Sequence, residues 1–231
     1  MAPAWRAKGS VIVLAPMVPH KRGFEMKGKL AMVLLAGAMA AVTAAENTVK
    51  LPEPDKAGGM PLMQALAKRK SGRDYKKDVP VTDEILSSLL WAANGFNRPG
   101  LRTAPTAINL QELELYVLKA DGCWFYDAAN NALVQKGTKD LRAAAAGFQQ
   151  FSAEAPVTIA IVADVKKATS RGRKDFSEID SGYVSQNIYL YCASAGLATC
   201  ARASFPQTLA KEMGLNESQR IILVHPVGYP Q

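Results

Sequence analysis

Two short polar segments hold the side chains best suited to chemistry. The first reads Arg69-Lys70-Ser71-Gly72-Arg73. Two guanidinium groups four residues apart, with a hydroxyl between them, suit an anion. Arginine offers forked donors to phosphate oxygens, and serine adds a hydroxyl bond. Lys70 adds a third cation. The same residues also read as a solvated basic helix end, which the helix dipole favours. The second segment runs from Gly100 to Gln111 and carries Arg102, Pro105, Thr106, Asn109 and Gln111 on a turn bounded by Pro and Gly. Ligand-contacting groups collect on loops held by rigid frames. Taken alone, this loop reads better as turn chemistry and capping by Thr106 and Asn109.

Other chemistries fall away quickly. Beyond residue 45 there is one histidine, His225, inside the apolar run Ile221–Tyr229. A lone histidine in a buried strand is structural more often than catalytic. A zinc site built on several histidines is therefore impossible, and no cysteine pair has ligand spacing. Neither a P-loop nor a Gly-rich dinucleotide fingerprint is present. Three cysteines cannot make a disulfide framework, since one is always left over. Cys192 sits in an apolar helical pattern, and a bridge from it to Cys200 across a Gly-containing break stays open.

The elements that must position these segments are mixed. Glu46–Gly59 reads as an extended lead-in. Pro61 opens a helix to Lys68, proline being welcome in the first turn. Thr82 is an N-cap with Asp83 and Glu84 behind it, and apolar residues at helical spacing carry that helix to Gly95. Strands are expected at Leu113–Lys119 and Cys123–Tyr126, joined through Asp121-Gly122. Further strands are expected at Val157–Ala163, Leu197–Ala203 and Ile221–Gly228. Helices are expected at Asp140–Phe151, Asp180–Ala195 and Pro206–Met213, with a polar loop at Lys166–Lys174. The alternation is too irregular for a doubly wound parallel sheet. The expected class is α+β, one three-layer domain.

Composition supports one globular domain: 231 residues, 48% hydrophobic and 21% charged. The formal charge of +8 comes from 28 basic and 20 acidic residues. Six of the basic residues and one acidic residue fall in residues 1–45. The remainder is nearly balanced, which offers no nucleic-acid footprint. From Met26 the chain shows a basic start, a 13-residue apolar run Leu30–Val42 and a small-residue end at Val42-Thr43-Ala44. That is the order of an export signal cleaved before Ala45 or Glu46. The run is too short to span a membrane, which takes about 20 residues. Residues 1–25 are then surplus, the biological start is expected at Met26, and the mature protein is expected in the periplasm.

Five pieces in order look like the nitroreductase family of FMN-dependent oxidoreductases. They are Arg69–Arg73, Arg102–Gln111, Asp180–Asn187, Gly196–Thr199 and Val227–Pro230, covering the chain from Pro61 onward. The resemblance is greatest to short, exported members that end at this Gly-Tyr-Pro. It implies an α+β sandwich with a central, mostly antiparallel sheet flanked by helices. It also implies a homodimer with FMN at the subunit interface, so that Asp180–Ala195 would be interface. By the same resemblance Arg69 and Ser71 would hold the FMN phosphate and ribityl chain. Arg73 would lie near the polar edge of the flavin and Asn109 would hydrogen-bond its ring. Pro105 and Thr106 would shape that loop, and the backbone of Ala203 and Ser204 would approach flavin N5. Many members continue past the last strand and bring further cations to the phosphate, whereas this chain stops at Gln231. Arg102 or Arg202 would then supply that charge.

The implied reaction is ping-pong electron transfer from NAD(P)H or another donor to a small acceptor such as a nitroaromatic or quinone. The flavin carries the chemistry, so no side chain is assigned as catalytic. Export leaves the donor open, because NAD(P)H is scarce outside the cytoplasm. Two alternatives stand beside this reading. One is a non-catalytic flavin- or ligand-binding protein of the same fold. The other is a flavin-dependent dehydrogenase acting on a peptide or small molecule.

Overall fold

The computed structural model describes residues 47–231. The upstream extension, the start at Met26 and the apolar run Leu30–Val42 lie outside the described residues.

Alternation along Leu113–Lys119 builds the centre. Leu113, Leu115 and Val117 point to one face of this strand, and Tyr116 and Leu118 to the other. Around it lies a seven-stranded sheet in the order β1-β6-β5-β4-β7-β9-β8. The strands are β1 (Thr48–Lys50), β4 (Leu113–Lys119), β5 (Gly122–Asp127), β6 (Ala132–Gly137), β7 (Val157–Asp164), β8 (Ala198–Thr199) and β9 (Gln219–Gly228). Every described pairing in it is antiparallel. A small separate hairpin joins β2 (Phe96–Arg98) to β3 (Leu101–Arg102).

Helices cover both faces. Against one face pack α2 (Asp83–Asn94) and α5 (Ser177–Ala195), through Leu86, Leu89, Leu90, Val184, Ile188 and Cys192. Against the other pack α3 (Arg142–Ala146) and α6 (Thr208–Glu212), through Leu141, Ala145, Leu209 and Met213. The three-layer α+β architecture is therefore as expected. Two further helices, α1 (Leu62–Lys68) and α4 (Val165–Ala168), lie at the margins. No helix among the described residues is long and apolar enough to cross a membrane.

Local expectations hold where a cap or a strong apolar period exists. The Thr82 side chain accepts from the Ile85 amide. Gly95 ends α2 with extended rather than left-handed backbone, and its N–H donates to the Trp91 carbonyl. Differences arise where tertiary contacts intervene. The expected helix Asp140–Phe151 stops at Ala146. There Arg202 takes the Ala145 and Ala146 carbonyls and Gly147 turns to φ +55°. The loop 166–174 begins inside a helical turn, because the Asp164 side chain caps α4. The strand over Leu197–Ala203 shrinks to Ala198–Thr199 plus a single bridge from Arg202 to Val224. Strand β6 and the hairpin β2–β3 were not expected. All three cysteines are buried free thiols, so the bridge left open between Cys192 and Cys200 does not form.

Candidate functional site

The predicted site residues fall into two groups, set along α5 like marks on a ruler. Tyr189 anchors the first. Its hydroxyl lies 2.9 Å from Ser71 Oγ and accepts the Ala201 amide at 2.8 Å. The Arg69 guanidinium stacks over its ring, 5.2 Å from the centroid. One phenol thus ties the basic segment to the backbone leading to Ala203 and Ser204. The Gly72 amide also donates to the Thr199 carbonyl at 2.9 Å. A Cβ on Gly72 would lie 2.7 Å from that of Ala198, so only glycine lets the segment press against β8. Arg73, Ala201, Ala203 and Ser204 line an open groove of about 480 Å³. Lys70 and Arg73 also border a neighbouring cavity of about 450 Å³ beside Tyr189 and Gln231. One hydroxyl and three cations lie within the five residues Arg69–Arg73, a donor set for a phosphate or a polyol.

Arg202 does not belong to that donor set. It is 5% exposed and turned inward. Its guanidinium bonds the Gln149 side chain, the Ser152 hydroxyl and the carbonyls of Ala145, Ala146 and Ser204. It braces the groove wall, and the expectation that it could replace a missing phosphate cation is corrected on that ground.

The second group surrounds the turn after β3. Arg102 stacks 4.2 Å from the Phe96 ring centroid and donates to the Asn94 carbonyl at 2.8 Å and to Gln111 Oε1 at 3.3 Å. It lies with this group and not with Arg69. Thr106 Oγ1 accepts the Gln111 amide at 2.8 Å. Gln111 Nε2 donates to the Gly100 carbonyl at 2.6 Å and to Asn109 Oδ1 at 2.9 Å. Pro105, Thr106 and the exposed Asn109 line a cavity of about 290 Å³. The backbone is unusual: Ile108, Asn109 and Gln111 have φ of +48°, +58° and +52°. Left-handed backbone is tolerable for asparagine and an outlier for a β-branched isoleucine.

The two groups are separate within one chain. The second is tied to α5 by Asp180, whose Oδ2 accepts the Ala107 amide at 2.8 Å. Tyr189 lies nine residues further along the same helix. At 1.5 Å per residue that is roughly 13 Å of axis.

His225 has a structural role. It is fully buried between Thr199, 3.2 Å from Nδ1, and Ser185, 2.9 Å from Nε2. Burial lowers its pKa to about 3, so it stays neutral. Two residues escaped the sequence reading as site organisers: Tyr189 and Lys167. Tyr189 stands among the aromatic and apolar residues of α5, and no spacing rule separates a platform from a core tyrosine. Lys167 lies in a basic run, yet its Nζ donates to the Gln111 carbonyl at 2.7 Å.

Comparison with known proteins identifies the family. The model of the nitroreductase family matches residues 66–229. A Methanocaldococcus jannaschii protein named for nitroreductase activity is 30% identical over 194 residues, covering 78% of this chain and 95% of its own. A Ralstonia eutropha JMP134 structure described as a nitroreductase has 38% identity and a TM-score of 0.75, over 83% of this chain and 93% of that one. A Desulfovibrio desulfuricans structure in complex with FMN shares the fold, with 21% identity and a TM-score of 0.56, over 74% and 87% of the two chains. The chain belongs to the nitroreductase family.

Proposed function

We propose that this protein is an FMN-dependent oxidoreductase working by a ping-pong scheme, and that its site is completed by a second copy. The observation that carries this reading is the split of the donor set. A phosphate-type group around Arg69, Ser71 and Arg73 and an amide-type group around Asn109 stand apart along α5. Neither alone matches a ligand with a phosphate at one end and a flat polar ring at the other. Two copies related by a two-fold axis would pair the first group of one with the second group of its partner. The surface of α5 supports that arrangement, since Ile179 and Tyr183 are 60% and 47% exposed.

The residues present fit FMN. Arg69, Lys70 and Arg73 supply charge for a phosphate and Ser71 a hydroxyl, on a segment that Gly72 lets press against β8. Asn109 supplies an amide for the ring edge, and Gln111 braces it. Bound FMN supplies the acceptance and release of two electrons. The chain's own part is to bind, to orient and to place the Arg73 cation where negative charge would gather. The donor is NAD(P)H or another reductant, and the acceptor a small nitroaromatic or quinone. We propose further that the protein is exported, as the order of residues 26–45 suggests. N-terminal sequencing of the periplasmic fraction tests that, expecting Ala45 or Glu46.

The test of function is a visible spectrum of the purified full chain before and after anaerobic NADH or NADPH. Flavin bands that bleach support the oxidoreductase. Bands that persist point to another donor or to a binding protein. No flavin after incubation with FMN overturns the reading. Light scattering tests the second copy, with a dimer expected.

A further inference from the structure

One charged patch is left over once both halves of the site are assigned. Between residues 166 and 174 stand five cations and no acid: Lys166, Lys167, Arg171, Arg173 and Lys174. All five are exposed. Lys167 is spent on the Gln111 carbonyl. The side chains of the other four form no ion pair or hydrogen bond among the described residues. The neighbouring acids are committed elsewhere: Asp164 caps α4, and Asp175 and Glu178 both hold Arg220. Crowded like charges repel one another, so the strip costs stability in the free protein. The backbone adds to that cost, since Arg171 has φ +63°, left-handed backbone uncommon outside glycine and asparagine. A strained arginine with a free side chain points to a bond made outside this chain.

The strip borders the ring half of the site. Lys167 reaches the Gln111 carbonyl, and α5, which starts just after the strip, holds the Ala107 amide through Asp180. FMN has no use for this charge. Its phosphate belongs with Arg69–Arg73, at the other end of the ligand, and its oxidised ring is neutral. The anion that meets the strip therefore belongs to the molecule that comes to the ring. Phe176 follows the cations, 38% exposed, with Lys174 Nζ 5.8 Å from its ring centroid. Cations for phosphates beside an open aromatic face for a base are the groups that bind a nucleotide. An acidic protein would use the charges and leave the ring face idle.

We infer that the 166–174 strip binds the phosphates of a dinucleotide electron donor, and that it selects NADPH over NADH through the extra 2′-phosphate. The inference rests on the flavin oxidoreductase reading and names its donor. The donor gives a hydride, both electrons and one proton, to the flavin and leaves as NADP+. The strip touches only the donor's remote end, so it acts on binding and not on the transfer. This selection is a property of the folded chain in any compartment.

The experiment is anaerobic stopped-flow bleaching of the flavin in the FMN-loaded full chain, with NADPH or NADH. At low salt the wild type should bind NADPH roughly tenfold more tightly than NADH, and the gap should close as salt screens the strip. In Arg171→Asn/Arg173→Gln/Lys174→Gln the NADPH dissociation constant should rise roughly tenfold, exposed charge pairs being worth a few-fold each. The limiting rate, set at the ring, should hold. Asparagine suits the left-handed backbone at 171, so the variant keeps its fold. Lys211→Gln removes an exposed cation on α6 and should change neither value. Equal affinity for the two donors in the wild type, or an NADPH constant unmoved in the triple variant, overturns the inference. An acidic protein as the strip's partner would give that result. If neither donor bleaches the flavin, calorimetry with 2′,5′-ADP judges the strip alone. Binding that weakens roughly tenfold in the triple variant supports it as a nucleotide-phosphate site, and no binding overturns it. If no FMN binds, the flavin reading fails, and the same calorimetry on the purified full chain decides the strip.

Discussion

The two halves of the site are built on opposite principles. The Arg69–Arg73 segment keeps ordinary backbone and is docked by a tyrosine platform and by the Gly72 contact with β8. The turn at 106–111 has three residues with positive φ and is pinned by side chains reaching in from α4, α5 and the turn itself. The first half gains its shape from packing, so its failure should appear as lost affinity or lost folding. The second stores strain against a few bonds, so its failure should depend on conditions.

The largest effect is expected at the brace behind the first half. Arg202→Ala removes five bonds, three of them to backbone carbonyls. Buried bonds to a charged group contribute about 1.5–3 kcal/mol each, and the partners are left unpaired. A loss of at least about 3 kcal/mol in urea unfolding is expected. A near-neutral result would break the claim that packing supports this half.

Next is Arg69→Ala. It should leave stability nearly unchanged, because the side chain is half-exposed and lies over Tyr189. Flavin retained per mole of purified protein should drop, with affinity weaker by roughly 10- to 100-fold, the value of one charged hydrogen-bond pair. Unchanged flavin content would remove Arg69 from the site.

The strained half should respond to pH. With its folded pKa raised to about 7, Glu112 holds a proton that the unfolded chain has released near pH 4.5. The native state gains from this group fully below about pH 4.5 and loses the gain as pH rises through about 7. Urea midpoints at pH 5 and pH 8 should therefore lie further apart in the wild type than in Glu112→Gln. Equal spacing in both would show that Glu112 does not titrate in this range.

The smallest effect sharpens the comparison. Ile108→Asn replaces an exposed β-branched residue at φ +48° with one that accepts left-handed backbone. Stability should rise by about 0.5–1 kcal/mol in thermal unfolding, a fraction of the usual 1–3 kcal/mol of such strain. A loss would mean that Ile108 is held by contacts worth more than its strain.

Much of the frame was legible because its signals are local. Thr82 with Asp83 and Glu84 starts α2, the β-branched run at Val157 makes β7, and Leu113–Lys119 alternates. The helix expected to Phe151 failed because an arginine more than fifty residues away takes its carbonyls. Strand β6 was missed because it has three apolar residues in a row, Ala132, Leu133 and Val134, followed by polar ones, with no alternation. The basic segment and the polar loop stood out by residue type, but their separation along α5 did not, because distance between loops is not written in spacing. The sequence by itself determined the donor types, the α+β class and the motifs of the family. Only the tertiary structure decided that Arg202 turns inward, that Tyr189 joins Ser71 to Ala201, and that Asp180 holds the Ala107 amide. Each of these is a contact between segments distant in sequence, set by how the helices pack on the sheet and by the need to satisfy buried polar groups.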